Sequence, residues 1–174
     1  VAPLGTALTE TQLLLSWKYV DKPTIMFDGD AAGLRASYKS ALMGLTHLSP
    51  NKYLQFIKLP KNYDPDSFIN EYSVKELSNF LKNPLSIVNF IIDQSSSTLD
   101  LRSADNKISY DKYIDDLIET IKDKKIKFFY KNEFKKLFFE KIKSYNKPTI
   151  NKFNPLSSGS LIEKQLNSFL LANV

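Results

Sequence analysis

The residues best equipped for chemistry are Asp28 and Asp30, which flank Gly29 at the end of the apolar run Thr24-Ile25-Met26-Phe27. A second acidic pair, Asp64 and Asp66 around Pro65, follows the next apolar run. Carboxylate oxygens suit a hard cation such as Mg²⁺, and the carboxyl ends of parallel strands converge on one crevice. Two strands that each empty into paired carboxylates therefore have the makings of a metal site. Gly29 lets the backbone turn tightly enough for both flanking side chains to face one ion. Four carboxylates at one sheet edge would repel one another strongly without cations between them, which favours one or two Mg²⁺ ions and, with them, phosphoryl-transfer chemistry. A plainer reading stands beside this one: Asp-Gly-Asp is a surface turn, Asp30 caps a helix starting at Ala31, and Asp66 caps the turn Ser67-Phe68-Ile69.

Other residues suit phosphate. Leu4-Gly5-Thr6-Ala7-Leu8-Thr9 reads as a strand-to-helix turn in which Gly5 and Thr6 either cradle a phosphate or simply begin a helix. Ala31-Ala32-Gly33 removes bulk where an anion or ion would approach a helix N-terminus. Arg35 and Lys39, one turn apart, face phosphates or are solvated charges.

The elements that must position these groups follow from spacing. Thr9-Glu10-Thr11-Gln12 fits a capping box, and Leu13, Leu14 and Trp17 continue a helix behind it. Thr24 to Phe27 reads as a strand, and Ala31 to Leu45 as a helix with Leu34, Tyr38, Ala41, Leu42 and Leu45 on one stripe. Tyr53 to Leu59 alternates as a second strand closed by Pro60. Helix, strand, helix, strand predicts an α/β fold with a partial parallel sheet and flanking helices. Ser73-Val74-Lys75-Glu76 opens a further helix that Asn83-Pro84 stops near Lys82, and Leu85 to Asp93 reads as a short buried helix followed by the polar break Gln94-Ser95-Ser96-Ser97. The helical spacings Tyr110, Ile114, Leu117, Ile118, Ile121 and Tyr130, Phe134, Leu137, Phe138, Ile142 predict a small antiparallel helical subdomain. The expected organisation is 1–93 for the α/β region, 94–146 for the helical subdomain, 147–160 for a linker of Pro, Gly, Ser and Asn, and 161–174 for the first helix of a further domain.

Composition narrows the function classes. The 174 residues can bury one substantial core. No apolar run approaches the roughly twenty residues of a membrane span, nothing at the start resembles a secretory signal, and no membrane partner is expected, so the cytoplasm is the expected location. There are no cysteines, and one histidine, His47, cannot supply a zinc cluster within this segment. The net charge of +5 belongs to the second half: residues 1–93 hold nine basic and nine acidic side chains, whereas 94–174 hold fifteen and ten. Lys122 to Lys147 contains ten lysines against three acids, either a surface for nucleic-acid backbones or the solvated face of a lysine-rich, asparagine-rich chain. The start at Val1 rather than Met leads us to expect further sequence upstream.

Ala2-Pro3-Leu4-Gly5-Thr6-Ala7-Leu8-Thr9, then Phe27-Asp28-Gly29-Asp30-Ala31-Ala32-Gly33, then Leu59-Pro60 with Asp64-Pro65-Asp66 resemble bacterial DnaG-type DNA primases in order and spacing. The likeness is to the second half of the family's Toprim region, is dense over residues 1–93, and fades afterwards to helical pattern. Asp-Gly-Asp alone also occurs in Toprim nucleases and topoisomerases, and the Leu-Gly-Thr-Ala-Leu-Thr block points to primase.

The resemblance implies an enzyme that polymerises ribonucleoside triphosphates on a single-stranded DNA template to make replication primers. Mg²⁺, with Mn²⁺ as substitute, would be held by Asp28 and Asp30 with Asp64 and Asp66 nearby, and Gly5, Thr6, Arg35 and Lys39 would serve the nucleotide. It further implies that residues 161–174 begin a domain docking on the replicative helicase. The family's Toprim glutamate, its basic template-binding subdomain and its zinc-binding domain would lie upstream of Val1, so the chain alone is expected to make no primers. Two other readings remain. A Toprim nuclease or topoisomerase would need a strand-cleaving Tyr or a His base nearby, for which no convincing candidate exists. A non-catalytic module would bind DNA or a helicase through Lys122 to Lys147 and the last helix.

Overall fold

The computed structural model describes residues 8–145. The expectations for Gly5 and Thr6, for the linker over 147–160 and for the helix over 161–174 lie outside the described residues.

The first helix, α1 (Glu10–Ser16), starts on the expected capping box: the Gln12 N–H donates to the Thr9 hydroxyl at 3.3 Å, and the Thr9 N–H donates to Gln12 Oε1 at 2.9 Å. Trp17 ends it, buried, with its indole N–H donating to the Tyr53 carbonyl at 2.9 Å. That bond ties α1 to the segment leading into the second strand.

Strands β1 (Thr24–Phe27) and β2 (Gln55–Lys58) pair in parallel, Thr24 opposite Gln55 and Phe27 opposite Lys58. The connection between them is α2 (Ala31–His47), as a parallel pair requires. Its buried stripe is Gly33, Ser37, Ser40, Ala41, Gly44 and Leu45, whereas Leu34, Tyr38 and Leu42 sit half-buried at its margin. The stripe expected from apolar periodicity is thus rotated towards small residues. The reason is close packing: a Cβ on Gly44 would lie 2.2 Å from Leu54 Cδ1.

After β2 come α3 (Pro65–Glu71) and α4 (Val74–Lys82), the latter on the expected Ser73–Glu76 capping box and ending at Asn83. A third strand, β3 (Leu85–Ser86), then pairs antiparallel with β2, making the sheet mixed, in the order β1-β2-β3. The parallel pair β1–β2 is the expected partial parallel sheet, and β3 corrects the helix assigned from Leu85, which starts two residues later at Ile87. Pro84 leads into extended backbone, and Ser86 is already the N-cap of α5 (Ile87–Ser96), so only two residues are free to pair. Such a strand leaves no periodic signal. Gln94, Ser95 and Ser96 form the last turn of α5 rather than a break, with the Ser95 and Ser96 hydroxyls donating to carbonyls one turn back.

Helix α5 is the centre of the core. Ile87, Val88, Phe90, Ile91 and Ile92 are buried, and Phe90 stacks on Phe56 of β2 with ring centroids 4.3 Å apart. Helices α6 (Ala104–Glu119) and α7 (Lys124–Tyr145) pack on each other, and α7 packs on α5. The expected spacings supply their buried faces: Tyr110, Ile114, Leu117, Ile118 and Ile121, then Phe134 and Phe138 with Tyr130, Leu137 and Ile142 at the margin. One continuous cluster runs from Leu13 through α2, the sheet and α5 to Phe138.

Candidate metal and nucleotide site at the strand ends

The parallel register of β1 and β2 brings both acidic turns to one sheet edge, as the element order predicts. They are joined there by backbone: the Gly29 N–H donates to the Tyr63 carbonyl at 2.7 Å. Contact is so close that a Cβ on Gly29 would stand 1.9 Å from the Pro60 carbonyl oxygen. Gly29 is therefore required by the approach of a neighbouring loop. Gly33 plays a similar part, since a Cβ there would lie 2.2 Å from the Asp28 carbonyl oxygen. Its smallness serves the fold of the acidic turn itself.

The second turn is shaped by Asn62, whose φ of 69° is the left-handed conformation that Asn tolerates better than most residues. The Tyr63 N–H donates back to the Pro60 carbonyl at 3.2 Å, and the reversed chain delivers Asp64. Beneath it, buried Phe68 stacks on Tyr72 at 4.4 Å and meets Phe80 edge-on at 4.9 Å, which fixes α3 and the carboxylates at its start. The sequence pattern does not single out Asn62, Tyr63 or Phe68 as positioning residues. An Asn two residues after a Pro that closes a strand is the signal that marks the turn.

The four carboxylates are exposed and differ in what they already bind. Asp28 has no hydrogen-bond or ion-pair partner among the described residues. Asp30 is the N-cap of α2, its Oδ1 accepting from the Gly33 N–H at 2.6 Å, so its capping role is real and its other oxygen remains available. Asp64, not Asp66, caps α3: the Ser67 N–H donates to Asp64 Oδ1 at 2.7 Å, and this backbone donor, with the Ser67 hydroxyl, holds the carboxyl below the ordinary Asp range. Asp66 accepts from the Asn70 amide at 3.3 Å.

Among the described residues, no three His, Cys, Asp or Glu side chains gather closely enough to hold a metal ion. The expected convergence of four carboxylates therefore stops at two adjoining turns. The donor set still fits Mg²⁺ in kind, because that ion is commonly held by one or two carboxylates with phosphates and water completing its shell.

Arg35 and Lys39 are exposed on the first turns of α2 and have no carboxylate partner among the described residues. With Ala32, Leu34, Tyr38 and Gln94 they line an open hollow of about 670 Å³. The Gln94 side-chain N–H₂ is buried there without a hydrogen-bond partner among the described residues, which leaves a donor for an occupant. Among the described residues, no hydrogen bond or ion pair joins Arg35 or Lys39 to the acidic turns. No described helix is long and apolar enough to cross a membrane.

Comparison with known proteins points in one direction. The DNA primase of Rickettsia bellii is 28% identical over 162 residues, covering 91% of this chain and 27% of its own length. That of Clostridium acetobutylicum is 33% identical over 122 residues, covering 70% and 20%. The chain thus spans about a quarter of the length of the curated relatives it matches. Among solved structures, a DNA primase domain from Pseudomonas aeruginosa superposes with a TM-score of 0.69 at 21% identity, covering 82% of this chain and 46% of that one. A DnaG primase catalytic domain bound to single-stranded DNA gives 0.69 at 19%, covering 78% and 43%. The zinc-binding and RNA polymerase domains of the Aquifex aeolicus primase give 0.59 at 26%, covering 83% and 33%. No protein-family model matches the chain.

Proposed function

We propose that the chain is a segment of a DnaG-type DNA primase, the proteins it matches in sequence, and that it supplies Asp28 and Asp30 to a centre that polymerises ribonucleotides into primers on single-stranded DNA. The observation that carries this reading is the 2.7 Å hydrogen bond from Gly29 to Tyr63, which fastens two acidic turns side by side at the ends of parallel strands. Asp28, without an internal partner among the described residues, and the second oxygen of Asp30 would hold Mg²⁺ or Mn²⁺, with Asp64 and Asp66 alongside. When bound, the ion supplies neutralisation of the triphosphate and activation of the attacking hydroxyl. No protein nucleophile is needed.

Arg35 and Lys39, with the orphan Gln94 amide between helices, receive the nucleotide, and Gly5 and Thr6 cradle a phosphate. The ordering of Asp30 by the Gly33 N–H holds that carboxylate in place before substrate arrives, so little reorganisation is left for the reaction. Within this reading the region over 1–93 is Toprim-like, 94–146 is its helical subdomain, 147–160 is a linker, and 161–174 leads to a helicase-binding domain. Zinc and the family's glutamate belong to other parts of the longer protein, and the protein acts in the cytoplasm.

Fluorescence anisotropy of a labelled ribonucleoside triphosphate tests this. Mn²⁺ is expected to tighten its binding to the chain, and the double variant Asp28→Asn/Asp30→Asn to abolish that tightening while leaving the circular dichroism spectrum unchanged. Equal Mn²⁺ dependence in the two proteins would overturn the assignment.

A further inference from the structure

Six of the eight lysines of helix α7 fall on two faces, while Lys124 and Lys131 are exposed off both without an ion-pair partner among the described residues. Lys127, Lys135 and Lys141, on the half-buried side, are engaged: Lys127 with Glu119 at 3.1 Å, Lys135 with Asp111 at 2.7 Å and Asp115 at 2.8 Å, and Lys141 with Asp93 at 3.4 Å. These are structural ion pairs that hold α7 to α5 and α6. The opposite face reads Lys125, Phe128, Asn132, Lys136, Phe139, Lys143, with every residue exposed. The spacings of three, four, four, three and four residues keep all six on one straight stripe of the helix. None of its lysines has a carboxylate partner among the described residues. Glu133 and Glu140 flank the stripe, three residues before Lys136 and midway between Lys136 and Lys143, yet neither forms an ion pair among the described residues.

Phe128 and Phe139 are 62% and 55% exposed, so the stripe leaves two large rings in solvent between cations. Leaving apolar rings in water costs stability, and the tertiary contacts of the fold do not use them. Aromatic rings alternating with unpaired cations, in a row about 27 Å long, match the chemistry of a single-stranded nucleic acid: rings stack on bases, and ammonium groups between them meet phosphates. A duplex hides its bases and offers the rings nothing.

We propose that this stripe is a single-strand platform, on which Phe128 and Phe139 stack bases and Lys125, Lys136 and Lys143 neutralise phosphates. It lies on α7, a different element from those that carry the acidic turns, and holds strand outside the reaction centre. The inference rests on the reading that this protein works on a single strand. Strand binding through another face would leave that reading intact and sink this one.

The test uses the full chain and a fluorescein-labelled oligothymidine in an anisotropy titration. The expected result is binding that Phe128→Ala/Phe139→Ala weakens at least about tenfold. Lys125→Ser/Lys136→Ser/Lys143→Ser is expected to lower the slope of log affinity against log salt by about 2. Ile108→Ala, at an exposed apolar position on α6, is expected to bind like the parent. All the substituted side chains are exposed, so circular dichroism should register folded protein throughout. Absence of oligothymidine binding, or equal binding by the phenylalanine variant, would overturn the proposal. So would a phenylalanine variant that changes only the sedimentation coefficient, because the stripe would then be a contact between copies of the chain.

Discussion

Gly29 shows how one residue's role depends on its neighbours. Its small size was legible in the sequence, but the reason was not: the turn needs room for the Pro60 carbonyl, which comes from a loop more than thirty residues away. Gly29→Ala is expected to lower unfolding stability by about 1–3 kcal/mol, since backbone must shift on both sides, and urea denaturation measures it. A variant as stable as the parent would mean that the two acidic turns are not in contact. Asp64 gives a pH-dependent counterpart. The Ser67 N–H holds its carboxyl below the ordinary Asp range, so its contribution is present above the unfolded value near 3.9 and is lost as pH falls through the lower folded value. Asn caps helices about as well as Asp without titrating. The midpoint of Asp64→Asn should therefore fall less steeply below about pH 4 than that of the parent, in thermal melts across that range. Parallel curves would remove the cap from the account.

At the scale of elements, long periodic segments were readable and short or shared ones were not. The faces of α6 and α7 follow directly from their apolar spacing, because each helix buries one stripe against one neighbour. Helix α2 misled the periodicity because small residues, Gly33, Ser37, Ser40 and Gly44, line its buried face, Gly33 against the Asp28 carbonyl and Gly44 against Leu54. β3 was hidden because two residues between Pro84 and a cap carry no pattern. The packing of α5 was only partly foreseen, and much depends on it. Phe90 stacks on Phe56, and Asp93 meets both Lys58 of β2 and Lys141 of α7, at 3.1 and 3.4 Å. Phe90→Ala is expected to cost about 3–5 kcal/mol and to loosen α7 together with the sheet, read by hydrogen exchange in both. Loss of protection in only one of them would contradict a shared core.

For the molecule as a whole, the sequence carried the order of elements as far as β2, the parallel pair and the acidic edge, all of which depend on local pattern and on the rule that strand ends converge. It did not carry how far the four carboxylates approach, which is set by side-chain caps: Asp30 is turned to Gly33 and Asp64 to Ser67. The molecule thus presents two adjoining acidic turns at one end and a lysine and phenylalanine stripe along another element, consistent with its similarity to part of a primase. A divalent cation held by Asp28 and Asp30 would be seen in a Mn²⁺ titration followed by electron paramagnetic resonance. The parent chain is expected to deplete the free Mn²⁺ signal in a saturable manner, and the folded Asp28→Asn/Asp30→Asn variant is expected to leave it undiminished. The same depletion by both proteins, or by neither, would contradict the account.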